Sequence, residues 1–123
     1  MDSKTILVVD DSATMRQLLA LTLKKLKGCE VVEAINGKEA VDKLSSRPFD
    51  LLIADLKMPE MDGLELVSHI RDVLKLSLPI VIVTTKGEED DRDRGLKGGA
   101  NAYLTKPISG TALLQLVERL LKP

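Results

Sequence analysis

Residues 5–9, 51–54 and 80–83 are apolar or β-branched at every position. A strand with one face in water alternates apolar and polar side chains. A run without alternation needs cover on both faces, as in a parallel sheet. Residues 30–34 and 102–104 are weaker runs of the same kind. None of these runs approaches the length needed to cross a bilayer.

The stretches between the runs carry helical spacing. Met15, Leu18, Leu19, Thr22, Leu23 and Leu26 recur at i, i+3, i+4 and i+7. Asn36, with Glu39 three residues on, predicts a capped helix that buries Ala40, Val41 and Leu44 and stops before Pro48. Leu66, Val67, Ile70 and Leu74 mark a third helix, and Leu113, Leu116, Val117 and Leu120 the last. The segment 88–94 is charged throughout, and Leu96 is its only strong apolar anchor. It reads as a solvated face and, compatibly, as a marginal helix able to shift. The order is βαβαβαβαβα. That alternation predicts an α/β fold with a parallel five-stranded sheet and helices on both faces, in one domain spanning residues 1–123.

The reactive side chains fall at one end of that framework. Asp10 and Asp11 end the first predicted strand, Asp55 the third, Thr84 and Thr85 the fourth, and Lys106 follows the fifth. In open α/β sheets, sites form outside the carboxyl ends of the strands, where strand order reverses. With strand order 2-1-3-4-5 the three aspartates converge there, opposite a hydroxyl and an ammonium. Three carboxylates in one cleft repel one another, and a divalent cation resolves the repulsion. Hard oxygen ligands without His or Cys favour Mg²⁺ or Mn²⁺ over zinc. Lys106 and Thr84 suit phosphate oxygens, and a carboxylate can serve as nucleophile. The set fits phosphoryl transfer. Taken singly, Asp11 or Ser12 reads equally well as the cap of the first helix.

In these residues the chain resembles the receiver domains of two-component response regulators, CheY-like in form, over essentially its whole length. The resemblance rests on Val8-Val9-Asp10-Asp11-Ser12, Asp55-Leu56-Lys57-Met58-Pro59 with Gly63, Val83-Thr84-Thr85, Gly99-Ala100, Tyr103 and Lys106-Pro107. It implies a doubly wound, flavodoxin-like (βα)5 sandwich. It also implies that Asp55 accepts a phosphoryl group from a histidine kinase. Asp11, Asp55 and the backbone carbonyl of Lys57 would ligate Mg²⁺, and Asp10 would act through a metal-bound water. Lys106 would pair with the phosphate, next to a cis Pro107. Thr84 would move onto the phosphate and let Tyr103 turn inward. The surface of the fourth helix, last strand and fifth helix would then change, and with it the contact to a downstream protein. A phosphatase is a further expected partner. The chain would catalyse its own phosphorylation and dephosphorylation without being a turnover enzyme. Lys57 and Lys86, each two residues past a key position, cannot accept a proton while charged, so self-dephosphorylation is expected to be slow.

Two other functional classes fit less well. A phosphohydrolase with an aspartyl-phosphate intermediate normally has a second Asp where this chain has Lys57. A constitutive interaction module would leave its phosphate site unused. His69, Met58, Met61 and Cys29 read as a surface histidine, two packing residues and a small apolar residue. The formal net charge of −1 leaves no basic footprint for nucleic acid and no polybasic membrane patch. Phe49 and Tyr103 are the only aromatics, too few for a base-stacking platform. A lone cysteine and no secretory h-region predict a cytoplasmic setting. The chain ends just after its fifth helical pattern. That suits a stand-alone regulator acting by protein contact, as in chemotaxis, or a domain of a longer protein.

Overall fold

The computed structural model describes residues 3–85 and 98–122. Five strands form one parallel sheet in the order β2-β1-β3-β4-β5. They are β1 (Lys4–Val9), β2 (Cys29–Ala34), β3 (Leu51–Asp55), β4 (Ile80–Thr85) and β5 (Ala102–Lys106). Helices α1 (Ala13–Leu23), α2 (Gly37–Ser46), α3 (Gly63–Ser68) and α4 (Gly110–Leu121) connect and cover them. The expected helix at 88–96, and Lys86, lie outside the described residues.

The apolar runs behave as covered strands should. Leu7, Val9, Leu52, Ala54, Ile80 and Ile82 point to a core that includes Ala40 and Leu44 of α2 and Leu66 and Val67 of α3. Their neighbours Ile6, Val8, Leu51, Ile53, Val81 and Val83 point the other way, to Leu19 and Leu23 of α1 and Leu113 and Val117 of α4. Successive side chains alternate across a strand, so one uninterrupted run feeds two cores. Met58 is buried and Met61 packs on its edge, as expected of packing residues.

Three local features differ from the sequence-based expectation. Leu18 is 52% exposed although its spacing placed it on the buried face of α1. The helix instead seats the narrower stripe of Met15, Leu19 and Leu23. Asn36 caps α2 by accepting from Glu39 N–H at 2.8 Å, but Glu39 reaches back to Ile35 N–H rather than to the cap residue. The third helix is not uniform: from His69 to Val73 it widens into a π-helical turn. Arg71 in this turn donates to the carbonyls of Gly99 and Leu76 at 2.9 Å each and to Asn101 Oδ1 at 2.9 Å. Asn101 Oδ1 also accepts from Ile80 N–H at 2.8 Å. One guanidinium therefore ties the turn to the chain entering β5. Burial pulls its pKa below the ordinary value.

Candidate functional site

The site forms at the carboxyl ends of β1, β3, β4 and β5. Asp10 follows β1, and its N–H donates to Ala34 O at 3.2 Å, which extends the pairing with β2 by one step. Its carboxylate turns back to accept from Ser12 N–H at 2.8 Å. Ser12 in turn caps α1, its hydroxyl accepting from Met15 N–H. The capping role weighed for Asp11 or Ser12 therefore falls to Ser12, leaving the Asp11 carboxylate in the cleft.

Asp55 ends β3. The following residue, Leu56, donates to Val83 O at 2.8 Å and accepts from Gly63 N–H at 2.8 Å. A Cβ on Gly63 would lie 2.7 Å from Asp55 O and 2.9 Å from Leu56 Cα. The motif needs glycine there because α3 begins directly against the backbone of the acidic residue. Asp62 and Glu65 close a capping box that starts α3 at this spot.

These turns bring the carboxylates together. Ligand oxygens of Asp10, Asp11 and Asp55 all lie within 4.8 Å of one another. Asp10 and Asp55 are buried, at 2% and 8% exposure, while Asp11 is exposed. Lys106 Nζ stands 3.4 Å from Asp55 Oδ1, and the Lys106–Pro107 peptide is cis. Thr84 is buried at the end of β4, one residue past Val83, the register partner of Asp55. Tyr103, paired with Ile82 on β5, packs half-buried against the core beneath α2 and α3. Lys57 is exposed, and its backbone N–H donates to the Asp55 carboxylate. His69 is half-buried in the π-helical turn, away from this cluster, and Cys29 begins β2.

Burial raises the pKa of both buried carboxyls. For Asp10, the Ser12 N–H opposes burial, while the charges of Asp55 and Asp11 add to it. For Asp55, the ammonium of Lys106 is the main opposing influence. Among the described residues, the Lys106 ammonium faces three acids, an excess of negative charge that a hard cation would neutralise. The donors are all oxygens, and two of them are partly desolvated. They fit Mg²⁺ in type, charge and spacing, and the lack of His or Cys among them favours it over zinc.

Sequence reasoning passed over Arg16, which reaches this site from α1. Its NH1 donates to Asp10 O at 2.7 Å, and its Nε pairs with Glu33 Oε1 of β2 at 3.1 Å. A signal was present. The helix dipole disfavours a cation near a helix N-terminus, so Arg16, four residues past the cap Ser12, calls for a local anion or carbonyl.

The sequence matches the family model for the response regulator receiver domain over residues 6–118. It is 42% identical over 118 residues to a chemotaxis protein CheY homolog of Campylobacter jejuni, covering 94% of this chain and 91% of that protein. It is 39% identical over 123 residues to the phosphate regulon transcriptional regulatory protein PhoB of Pseudomonas aeruginosa, covering 99% of this chain. The chain spans only about half, 53%, of PhoB. Among experimental structures, a putative response regulator from Chloroflexus aurantiacus superposes with a TM-score of 0.90 at 35% identity, covering 98% of each chain. The chemotaxis protein CheY4 of Vibrio cholerae gives 0.88 at 35% identity, covering 97% of this chain and 99% of that one. Phosphorylation on an aspartate is the general function of such domains. The strand order, the acidic cluster at the strand ends and a family match over nearly the whole chain lead to one conclusion: this chain belongs to the receiver domains of two-component response regulators.

Proposed function

We propose that residues 1–123 form one cytoplasmic receiver unit whose phosphoacceptor is Asp55 and whose phosphodonor is a histidine kinase. The observation that most supports this is the placement of Asp55. Its carboxylate lies between two further aspartates within 4.8 Å and the Lys106 ammonium at 3.4 Å. In the proposed reaction a carboxylate oxygen of Asp55 attacks the phosphorus of a phosphohistidine. A P–O bond forms, the P–N bond breaks, and the imidazole leaves with the electron pair. Positioning and charge neutralisation carry most of such a reaction.

Asp10, Asp11, Asp55 and the backbone carbonyl of Lys57 are the groups that would hold Mg²⁺, with Mn²⁺ as a substitute. The bound cation neutralises charge on the transferring phosphoryl oxygens. Lys106 is close enough to Asp55 to turn its ammonium onto an oxygen of the attached phosphoryl group. The Thr84 hydroxyl, buried at the next strand end, supplies a hydrogen bond to another. Tyr103 sits two residues after Asn101, where Arg71 anchors the chain, and three before Lys106. A change at Thr84 would be read out through Tyr103 and the adjoining surface of β5 and α4 to a downstream protein. The differential interaction of the phosphoryl group with the two states supplies the energy.

The test is incubation with acetyl phosphate, with and without Mg²⁺, followed by intact mass. One added phosphoryl group is expected, requiring Mg²⁺ and absent in Asp55→Asn. Its decay in the same sample is expected to be slow, because exposed Lys57 offers no base to an attacking water. Failure of both acetyl phosphate and beryllofluoride to modify the protein would replace this reading with that of a constitutive binding module.

A further inference from the structure

We propose that Arg16 is a positioning residue for the acid pair, and that its pairing with Glu33 keeps it in that role. This rests on the reading of the aspartate cluster as the Mg²⁺ site.

Asp10 is fixed at three points. Its N–H is paired to Ala34 O, its carboxylate accepts from Ser12 N–H, and its carbonyl accepts from Arg16 NH1 at 2.7 Å. Asp11 differs: it is exposed, and among the described residues no hydrogen bond holds its carboxylate. Its position follows from the backbone on either side. The carbonyl of Asp10 and the N–H of Asp11 share one rigid peptide plane. Fixing that carbonyl fixes where the Asp11 Cα sits and how its side chain enters the cleft. On the far side Ser12 is held as the cap of α1. Arg16 is the only side chain among the described residues that bonds this peptide carbonyl.

Glu33 has the complementary task. A guanidinium beside three carboxylates could swing onto them and compete with the cation. Its Nε is engaged by Glu33 Oε1 at 3.1 Å, with the Arg16 side chain only 15% exposed. The ion pair spans from α1 to the edge strand β2 and aims the remaining donor at the main chain rather than at the cluster.

Positioning and plain electrostatics predict opposite signs. Arg16→Gln removes a positive charge near the cluster, which by charge alone would tighten Mg²⁺ binding. Loss of positioning weakens it, and outer supports of metal ligands commonly matter about tenfold or more. We expect Mg²⁺ affinity, measured by calorimetry on the unphosphorylated full chain, to fall about tenfold in Arg16→Gln. Arg16→Lys, which can still donate to the carbonyl, is expected to recover part of that loss. Glu33→Gln is expected to weaken binding in the same direction while leaving the urea midpoint in chelator within error of the parent. Unchanged or tighter Mg²⁺ binding in Arg16→Gln would overturn the proposal. Should that variant not fold, unchanged binding in Glu33→Gln and Arg16→Lys together would overturn it. A parent protein that binds no Mg²⁺ would instead remove the metal-site reading itself, and this inference with it.

Discussion

Asp10 is buried beside two other carboxylates, and its side chain accepts from Ser12 N–H. Its folded pKa is raised, with burial as the leading cause. A raised carboxyl pKa means that the native state prefers the protonated form. Stability from this group is therefore fully present below the unfolded value of 3.8 and is lost as pH rises through the raised folded value. Asp10→Asn keeps an acceptor for Ser12 N–H and discards the charge. In chelator at pH 7 it should have a higher urea midpoint than the parent, and the difference should vanish as pH falls below 3.8. A midpoint at or below the parent's at pH 7 would mean that burial is not what raises this group. The residues that carry charge chemistry were legible because acids, threonine and lysine all sit where apolar runs stop. Arg16 was not, because a helical arginine reads as a solvated charge until the backbone carbonyl beneath it is located.

At the scale of elements, Gly63 decides how closely α3 approaches the end of β3. A methyl group there would press on main-chain atoms, which cannot rotate away. Gly63→Ala should destabilise the fold by about 1–3 kcal/mol, the usual cost of overpacking, as read from urea unfolding. A cost near zero would show that α3 can retreat freely. The strands were readable to within a residue or two, since their apolar runs are bounded by charged and polar residues. The π-helical turn at 69–73 was invisible. It changes which carbonyl each N–H finds while barely altering the spacing of Leu66, Val67 and Ile70, the only signal that periodicity supplies. The reach of Glu39 past Asn36 to Ile35 N–H escaped for a similar reason: the residue types match a capping box, and only geometry tells which amide is met.

For the whole molecule, the sheet separates two cores and gathers the charged groups at one rim, so binding at that rim acts on the complete folded unit. A ligand that binds only the native state stabilises it by mass action. Mg²⁺ at ten times its dissociation constant should add about 1.4 kcal/mol. The urea midpoint should rise without a change in slope. Asp55→Asn should lose most of that increment, and an equal increment in the variant would place the cation elsewhere. Fold class was legible at this scale because βα alternation admits few topologies, whereas the strand order came with the likeness to CheY-like sheets. The expected output surface was named only through family resemblance, because nothing in the residues' spacing points to a docking partner.

The grip of Arg71 has a consequence for how such a chain can diversify. Two of its three partners are main-chain oxygens, at Leu76 and Gly99, which every sequence presents. Glycine at 99, with φ of +118° and no room for a Cβ beside the arginine stem, completes the socket. Leu76 can therefore change its side chain without loosening this grip, whereas Gly99 cannot take a side chain without straining its backbone and crowding Arg71.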